Sequence, residues 1–257
     1  MESGGFMRKL IADRDHVLVG GHRGCACEYF ENTIPAMKEG IRRGADYLEI
    51  DLQLTKDGEI VVYHDTELSK KCRLRGYVHE HTLEEIQKAL PVNTLRKVFS
   101  WASGKGVCLA LELKSVPVDM QERGFALVER LADLTGEYGM GEQVFAFGAD
   151  YMVLRHLKQV NPEFHIGLIV PFVPADPVKL MEEMDAMVYL SYVYNMTPKI
   201  VEDLHRAGYF VDGAILREEK WTRLARELGV DMYESDRPEL EKRTAAGKNV
   251  IEKQGNI

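Results

Sequence analysis

The chain has 257 residues, of which 45% are hydrophobic and 29% are charged, and its formal net charge is −8. This is the composition of an ordinary globular protein, and the negative charge disfavours a nucleic acid partner unless a basic patch offsets it. The sequence shows no such patch, so we expect no nucleic acid partner. It also has no run near the roughly 18 apolar residues of a membrane span, and residues 1–15 lack the apolar core of a secretory signal. We expect a cytoplasmic protein with no integral membrane segment.

The cysteines are few and are not spaced like the ligands of a structural zinc ion. They stand at Cys25, Cys27, Cys72 and Cys108. Four cysteines are too few for a disulfide scaffold in a chain of this length, and the CxxC pairs of structural zinc are missing. We therefore predict free thiols; a soft-metal site at Cys25 and Cys27 is the alternative.

Short apolar runs alternate with longer segments of helical period along the whole chain. This alternation predicts a parallel sheet, and eight repeats favour a closed barrel over an open doubly wound sheet. No GxGxxG motif follows the first strand, which argues further against a dinucleotide-binding fold. The sequence predicts an α/β protein, a single (β/α)₈ TIM barrel over residues 1–257. Its eight strands are predicted at residues 17–21, 47–54, 107–114, 143–147, 165–170, 187–191, 209–215 and 231–235.

The helix between the first two strands has a recognisable start and one apolar face. Asn32 is the predicted N-cap, and Ile34, Met37 and Ile41 recur at helical spacing on the predicted buried face. Later segments of the same period predict further helices, several of which end at Gly or at Asn-Pro. These segments are residues 119–139, 150–162, 176–184, 197–208 and 218–229.

The second strand is followed by an irregularity that predicts a small insertion. In TKDGEIVVYHD, the Asp57-Gly58 pair predicts a turn and the residues after it a short second strand, which together form a hairpin at the barrel mouth. One or two helices are predicted between residues 66 and 106, where a modest lid could lie. We place the insertion at about residues 57–92.

Acidic residues fall on the inward face of two predicted barrel strands. In YLEIDLQL the leucines and isoleucine face the helices, so Glu49 and Asp51 face into the barrel, and in LALELK the same alternation turns Glu112 and Lys114 inward. Three carboxylates crowded in a medium of low dielectric repel one another, and a divalent cation relieves that repulsion. Oxygen ligands favour Mg²⁺ or Ca²⁺ over Zn²⁺. The alternative is a salt-bridge network between the carboxylates and Lys114.

Two histidines and an arginine follow strands at the same mouth. His22 and Arg23 follow the first strand, and His64 ends the hairpin after the second strand. In-line phosphoryl transfer needs a base for the nucleophile and an acid for the leaving oxygen, and two histidines beside a cation provide both. Arg23 offers a planar fork for phosphate oxygens and Lys114 a point charge. The combination predicts phosphodiester chemistry.

The same residues form a series of short motifs that resembles a known family, the glycerophosphodiester phosphodiesterases. The resemblance implies a TIM barrel with a small insertion after strand 2, which hydrolyses small-molecule glycerophosphodiesters to glycerol 3-phosphate and an alcohol. The motifs are HRG (22–24), ENT (31–33), GADxxExD (44–51), TKDG (55–58), HD (64–65), GYVHEHTLEEI followed by NTL, ELK (112–114) and SDRP (235–238).

The resemblance also implies a role for each matched residue. By this resemblance the acid and base are His22 and His64, the Mg²⁺ or Ca²⁺ ligands are Glu49, Asp51 and Glu112, and the phosphate contacts are Arg23 and Lys114. For Glu31, in the ENT motif, two roles stay open: support of the first helix, or orientation of groups at the mouth.

Some positions depart from the family pattern and bear on the substrate. Phe30 replaces a proline before ENT, and YFVDGAI in the seventh strand lacks the aromatic residue that usually faces the glycerol end. Two alternatives to glycerophosphodiester hydrolysis therefore stay open: lysophospholipase D-type cleavage of lysophospholipids, and a barrel that binds a phosphorylated ligand without turnover. The oligomeric state cannot be read from the sequence.

Overall fold

The computed structural model of the protein describes residues 17–214, 216 and 218–239. Within them the predicted (β/α)₈ barrel is confirmed, and the last residue of the predicted seventh strand, Ile215, lies outside the described residues. The single domain over residues 1–257 stays a prediction. The strands are β1 (Leu18–Gly21), β2 (Tyr47–Leu54), β3 (Ile60–Val62), β4 (Asn93–Thr94), β5 (Leu109–Leu113), β6 (Val144–Gly148), β7 (Ile166–Ile169), β8 (Val188–Tyr192), β9 (Phe210–Ala214) and β10 (Met232–Ser235).

The barrel consists of all these strands except β3 and β4, and it closes through β1. Strand β1 pairs in parallel with both β2 and β10, and each remaining barrel strand pairs in parallel with its neighbours in the chain. The register places Asp51 beside Glu112 and Gly20 beside Glu234. Since the carboxyl ends of all eight strands meet at one end of the barrel, the residues that follow them share one mouth.

Helices surround the barrel, and most of them begin at a side chain that accepts a hydrogen bond from the first turn. Such a cap satisfies backbone N–H groups that have no partner inside the helix. The capping residues are Thr33, Thr82, Thr94, Asp150, Asp176 and Thr197. The helices are α1 (Ile34–Arg42), α2 (Leu83–Ala89), α3 (Leu95–Ala102), α4 (Gln121–Tyr138), α5 (Tyr151–Val160), α6 (Pro177–Met184), α7 (Pro198–Arg206) and α8 (Glu219–Leu228).

Two details predicted for the first helix are wrong. The N-cap of α1 is Thr33, whose side chain accepts from the Ala36 N–H, while Asn32 has a left-handed φ of 61° and turns its amide toward β2. Ile41 is 41% exposed, because the buried face of α1 is rotated from the predicted stripe and is centred on Ala36, Met37 and Gly40. Thr33 therefore caps α1, whereas the side-chain amide of Asn32 donates a hydrogen bond to Asp51.

The hydrophobic residues form an outer layer between the strands and the helices and an inner layer inside the barrel. Leu48, Ile50 and Leu52 are fully buried in the outer layer, where they pack with the helices. Tyr47 and Phe145 belong to the inner layer, which lies inside the barrel. Alternate residues of β2 therefore face opposite layers, as predicted.

The predicted hairpin and insertion after β2 are also present. Strand β3 pairs antiparallel with β2, with Leu54 opposite Ile60, and β4 pairs antiparallel with β3. Helix α2 packs within the insertion, whereas α3 packs on the outer layer of the barrel. The insertion has its own small core of Val61, Tyr63, Leu68, Val78, Ile86, Leu90 and Val92.

Candidate active site

Three carboxylates meet at the mouth, at the carboxyl ends of β2 and β5. One oxygen each from Glu49, Asp51 and Glu112 lies within 4.8 Å of the other two. Glu49 and Asp51 are each 1% exposed. The strand alternation that turns Ile50 outward turns these two side chains inward, and the β2–β5 register brings Glu112 beside Asp51.

This carboxylate group has unsatisfied hydrogen-bonding capacity. Among the described residues, Glu49 Oε1 and Asp51 Oδ1 are buried and make no hydrogen bond, although Asp51 Oδ1 has Lys114 Nζ as an ion-pair partner at 3.3 Å. Burial, with the charges of Asp51, Glu234 and Glu112, raises the pKa of Glu49 well above its ordinary value, and burial with Asp51 raises the pKa of Glu112. Buried oxygen atoms without partners are costly, so the donor set fits a divalent cation with oxygen ligands.

Lys114 lies against the same group, just beyond β5. Its Nζ is 2.5 Å from Glu112 Oε1 and 3.3 Å from Asp51 Oδ1. Burial opposes its charge, but Asp51 and Glu112 outweigh that effect and raise the pKa of Lys114 above its ordinary value. The ammonium group is therefore a fixed positive charge at the rim of the carboxylates, where it can bind an anionic ligand.

His22 is held in one orientation by a residue from the opposite end of the chain. Its Nδ1 lies 2.6 Å from Asp236 Oδ1, and its backbone N–H donates to the Ser235 carbonyl. A hydrogen bond from Nδ1–H to Asp236 leaves the Nε2 lone pair free, 3.9 Å from Glu49 Oε2. Sequence reasoning missed this partner, although Asp236 lies within the SDRP motif.

His64 lies across the mouth, at the end of the hairpin. Its Nδ1 is 3.3 Å from Asp65 Oδ1, and its side chain is 30% exposed. Burial lowers the pKa of His64 below its ordinary value of 6.5; Lys114 and Arg23 act in the same direction, and Asp51 opposes them. The two histidines therefore differ in exposure and in partners.

Arg23 is positioned by a tight turn after β1. The turn has left-handed backbone at Arg23 (φ 51°) and Gly24 (φ 89°), and a Cβ at residue 24 would lie 2.7 Å from Met37 N. The Arg23 backbone N–H donates to Glu49 Oε2 at 2.8 Å, and its Nη1 donates to Glu31 at 3.1 Å. Glu31 also pairs with Lys71, so it orients groups at the mouth.

Asn32 is a site residue that the sequence reading assigned to a helix cap. Its Nδ2 donates to Asp51 Oδ2 at 2.7 Å, and its Oδ1 accepts from the Asp51 backbone N–H at 3.2 Å. The two hydrogen bonds fix the rotamer of Asp51. Groups that orient a metal ligand in this way tune its affinity for the cation.

Two more carboxylates lie deeper in the barrel, and sequence reasoning missed both. Asp212 on β9 and Glu234 on β10 are 0% and 3% exposed, and Tyr47 Oη lies 3.5 Å from Asp212 Oδ2. Burial raises the pKa of Asp212 to about 7, and burial with the charge of Asp212 raises the pKa of Glu234 well above its ordinary value. The signal was present, since strand alternation also turns these two residues inward.

A cavity of about 320 Å³ lies beside Lys114. It is bounded by the insertion at Tyr77 and His79 and by the start of α4. Its apolar lining includes Leu54, Leu113, Val116 and Leu127. The insertion therefore forms one wall of a pocket next to the candidate phosphate contacts.

The cysteines are free, as predicted. All four lie within the described part of the chain; Cys25 is buried and Cys27 exposed. Their Sγ atoms are 3.3 Å apart in the loop that follows Arg23 and Gly24. Burial raises the pKa of Cys25 to about 12, so its thiol is protonated at neutral pH.

The fold and the site define a class of protein, a (β/α)₈ barrel whose mouth combines a group of three carboxylates with histidines and basic residues. The family model "Glycerophosphoryl diester phosphodiesterase family" matches residues 22–240. A glycerophosphodiester phosphodiesterase of Caldanaerobacter subterraneus is 31% identical over 235 residues, which cover 86% of this chain and 95% of that protein. The chain belongs to the glycerophosphoryl diester phosphodiesterase family.

Solved structures agree with this assignment at the level of the fold. A putative glycerophosphoryl diester phosphodiesterase from Silicibacter pomeroyi superposes with a TM-score of 0.83 at 22% identity, covering 88% of this chain and 92% of that one. A phosphodiesterase of Oleispira antarctica, in complex with the product sn-glycerol-3-phosphate, has a TM-score of 0.82 at 22% identity, covering 89% and 96%. In the part of this chain that the structure describes, no helix is long and apolar enough to cross a membrane.

Proposed function

We propose that this protein hydrolyses glycerophosphodiesters to glycerol 3-phosphate and an alcohol, with a divalent cation held by Glu49, Asp51 and Glu112. The observation that carries the proposal is the convergence of these three carboxylates, one of which has a buried oxygen (Glu49 Oε1) without a hydrogen bond, on a mouth that also holds two histidines. Family membership and the product complex of the Oleispira antarctica relative support the same substrate class. We also propose a cytoplasmic location, on the sequence expectations alone.

The cation is Mg²⁺ or Ca²⁺ in this proposal, because the three ligands are all oxygens. When bound, it would neutralise charge on the phosphate and on the carboxylates around it. Arg23 and Lys114 bind the phosphate oxygens that the cation leaves free, and both side chains are already held in place by carboxylates. These positive charges favour the transition state, in which charge spreads over the phosphate oxygens.

The histidines take the proton-transfer roles. His22 is the base: Asp236 holds its Nδ1–H and stabilises the imidazolium formed when Nε2 accepts a proton from the attacking hydroxyl. As that oxygen bonds to phosphorus, the bond to the alcohol oxygen breaks, and protonated His64 donates to the departing alcohol. The lowered pKa of His64 makes its protonated form a stronger acid.

By analogy with the family, the attacking group is the neighbouring hydroxyl of the glycerol itself, which gives a cyclic phosphate. Water then opens the ring, with His64 as the base and His22 returning its proton to the glycerol oxygen. The two histidines therefore exchange roles between the two steps, and each ends in its starting protonation state.

Release of glycerol 3-phosphate from glycerophosphocholine and glycerophosphoethanolamine tests the proposal, with EDTA, Mg²⁺ and Ca²⁺ compared side by side. We expect release that depends on the cation and is lost in Glu112→Gln. The matched control is Glu122→Gln, which removes an exposed carboxylate on α4. The proposal fails if no metal supports release, or if Glu112→Gln retains full turnover.

The cavity beside Lys114 favours a second candidate, cleavage of lysophospholipids to the head-group alcohol and a lysophosphatidic acid. Its apolar walls would accept an acyl chain that a glycerophosphodiester lacks. Turnover of lysophosphatidylcholine faster than that of glycerophosphocholine would select this candidate. Binding of both substrates with metal present, but no turnover of either, would instead indicate a barrel that only binds a phosphorylated ligand.

A further inference from the structure

A second group of metal-ligating atoms lies beside the first and shares Glu49 with it. One ligand atom each from His22, Glu49 and Glu234 lies within 4.8 Å of the other two. All three residues are buried, with exposed fractions of 5%, 1% and 3%. Glu234 reaches this position from β10, opposite Gly20 of β1, where the Tyr47 ring takes the place of a side chain.

Two oxygens of this group have no hydrogen-bond partner within the described ranges. They are Glu49 Oε1 and Glu234 Oε1, and both are buried. Glu49 Oε2 already accepts from the Arg23 N–H, so only one oxygen of Glu49 lacks a partner. Buried carboxylate oxygens without donors indicate a missing positive partner, which is either a cation or a proton.

The orientation of His22 favours the cation. Its Nδ1 is engaged by Asp236 at 2.6 Å, and its Nε2 faces Glu49 Oε2 at 3.9 Å. A histidine that binds a metal through one nitrogen usually donates its other ring N–H to a carboxylate. In this group Asp236 is the carboxylate that accepts from the His22 ring N–H. The other ring nitrogen, Nε2, is left to bind a cation together with Glu49 and Glu234.

We propose that His22, Glu49 and Glu234 form a second divalent-cation site, and that its occupation withdraws His22 from proton transfer. One nitrogen and two oxygen ligands suit Mn²⁺ or a similar borderline cation better than Ca²⁺. The distance between His22 Nε2 and Glu49 Oε2, 3.9 Å, lies within the roughly 4.2 Å that can separate two ligands of one cation with bonds of about 2.1 Å.

The site has a consequence for catalysis that rests on the proposed function. A cation bound to His22 Nε2 occupies the lone pair that would accept the proton of the attacking hydroxyl. The same nitrogen cannot bind a cation and act as a base, so Mn²⁺ at this site is inhibitory while Mg²⁺ or Ca²⁺ at the first site is required.

Binding stoichiometry tests the site without any need for turnover. The metal-free protein is titrated with Mn²⁺, and free Mn²⁺ is followed by its six-line electron paramagnetic resonance signal. Mn²⁺ is the probe because Zn²⁺ would also be drawn to the Cys25 and Cys27 thiols. We expect two bound ions per wild-type chain, and a single bound ion overturns the proposal.

Variants then assign the second ion to its ligands. Glu234→Gln should bind one Mn²⁺, whereas Asp212→Asn, which removes a buried carboxylate from the adjacent strand, should still bind two. Two ions in Glu234→Gln would place the second ion elsewhere, for example at Glu31, His64 and Asp65, and would overturn the assignment. Melting temperatures show whether each variant is folded, and His22→Ala, which should also bind one Mn²⁺, replaces Glu234→Gln in the count if that variant is not.

Inhibition is measured separately, with hydrolysis followed at saturating Mg²⁺ while Mn²⁺ is added. We expect the Mn²⁺ concentration for half inhibition to rise at least about tenfold in Glu234→Gln relative to Asp212→Asn, because a ligand is lost. If no substrate is hydrolysed under any condition, the proposed function fails while the stoichiometry still decides the site. Two bound ions without inhibition would overturn the claim about His22.

Discussion

The two sides of the barrel interior differ in chemistry. Strands β2, β5, β9 and β10 turn carboxylates inward, whereas the inward side chains of β6, β7 and β8 are apolar. On the charged side lie Glu234, Glu49, Asp51 and Glu112, with His22 above them; on the apolar side lie Phe145, Phe147, Ile169, Val188 and Leu190. The buried carboxylates thus lie on one wall of the barrel, and the opposite wall has none among the described residues.

The difference shows what each wall contributes. The apolar wall excludes water from the interior, which stabilises the fold and also lowers the dielectric around the charged wall. In that medium the carboxylates cannot all ionise at low cost, as the raised pKa of Glu49 shows. In the proposed function, a cation on the charged wall is therefore held strongly, because the apolar wall excludes water from around it.

The largest effect expected on the charged wall is on catalysis. His64→Ala removes the proposed acid and should lower kcat about 10²–10⁴-fold, the range of general acid–base catalysis. The melting temperature should stay near that of the wild type, since His64 is partly exposed. His156→Ala on α5, outside the mouth, is the control in steady-state assays. Equal turnover in both variants would contradict the role of His64.

A mutation in the apolar wall should lower the stability of the protein and leave its cation affinity nearly unchanged. Phe145→Ala removes a fully buried ring that stacks on Phe147 with centroids 5.6 Å apart, and should lower the free energy of unfolding by about 3–5 kcal/mol. Urea denaturation measures this loss. Cation affinity of the folded fraction should change little. A large loss of affinity without a loss of stability would break the comparison between the walls.

A pH titration of the metal-free protein tests the buried carboxylate Asp212. The expected change in the free energy of unfolding is a few kcal/mol. Burial raises the pKa of Asp212 from 3.8 to about 7, so the folded state favours its neutral form. Its contribution to stability is complete below about pH 4 and is lost as the pH rises toward 7. The loss amounts to about 1.4 kcal/mol for each pH unit between these two pKa values.

Melting temperatures in EDTA should therefore fall between pH 5 and pH 8, and the fall should be smaller in Asp212→Asn. Some pH dependence should remain in that variant, because the pKa values of Glu49 and Glu234 are raised as well. An unchanged slope in Asp212→Asn would show that this carboxyl does not titrate in that range.

The smallest expected effects distinguish the roles of two neighbouring residues, Asn32 and Thr33. Asn32→Ala removes both hydrogen bonds that orient Asp51 and should weaken Mg²⁺ or Ca²⁺ binding about 10–100-fold, as measured by calorimetry. Thr33→Ala removes the N-cap of α1 and should cost about 1 kcal/mol of stability with affinity unchanged. The reverse pattern would return Asn32 to a helix-capping role.

Much of the fold was predictable because strand alternation is a strong local signal. The pattern around Ile50 placed Glu49 and Asp51 inside the barrel, and the structure agrees. The same rule was available for Asp212 and Glu234, but a single acidic residue in a strand does not show whether its face is solvated. Only the closed barrel shows that these two residues lie beside one another.

Other features needed contacts that local sequence does not encode. Asn32 and Thr33 are both good N-cap residues, and the choice between them depends on Asp51, which is 19 residues from Asn32. Asp236 was visible as part of a motif, but its hydrogen bond to His22 depends on β1 pairing with β10. The buried face of α1 was missed because it depends on close approach of Gly40 to Gly24.

The pairing of His22 with Asp236 joins residues separated by 214 positions in the chain. Such a contact forms only after the last strand has docked on the first, which is a late and slow event in the assembly of a barrel. A nascent or partly refolded chain can hold its helices and most of its sheet and still leave His22 unoriented. Recovery of the oriented imidazole can be monitored through its NMR signal. That signal would report closure of the barrel rather than the formation of secondary structure.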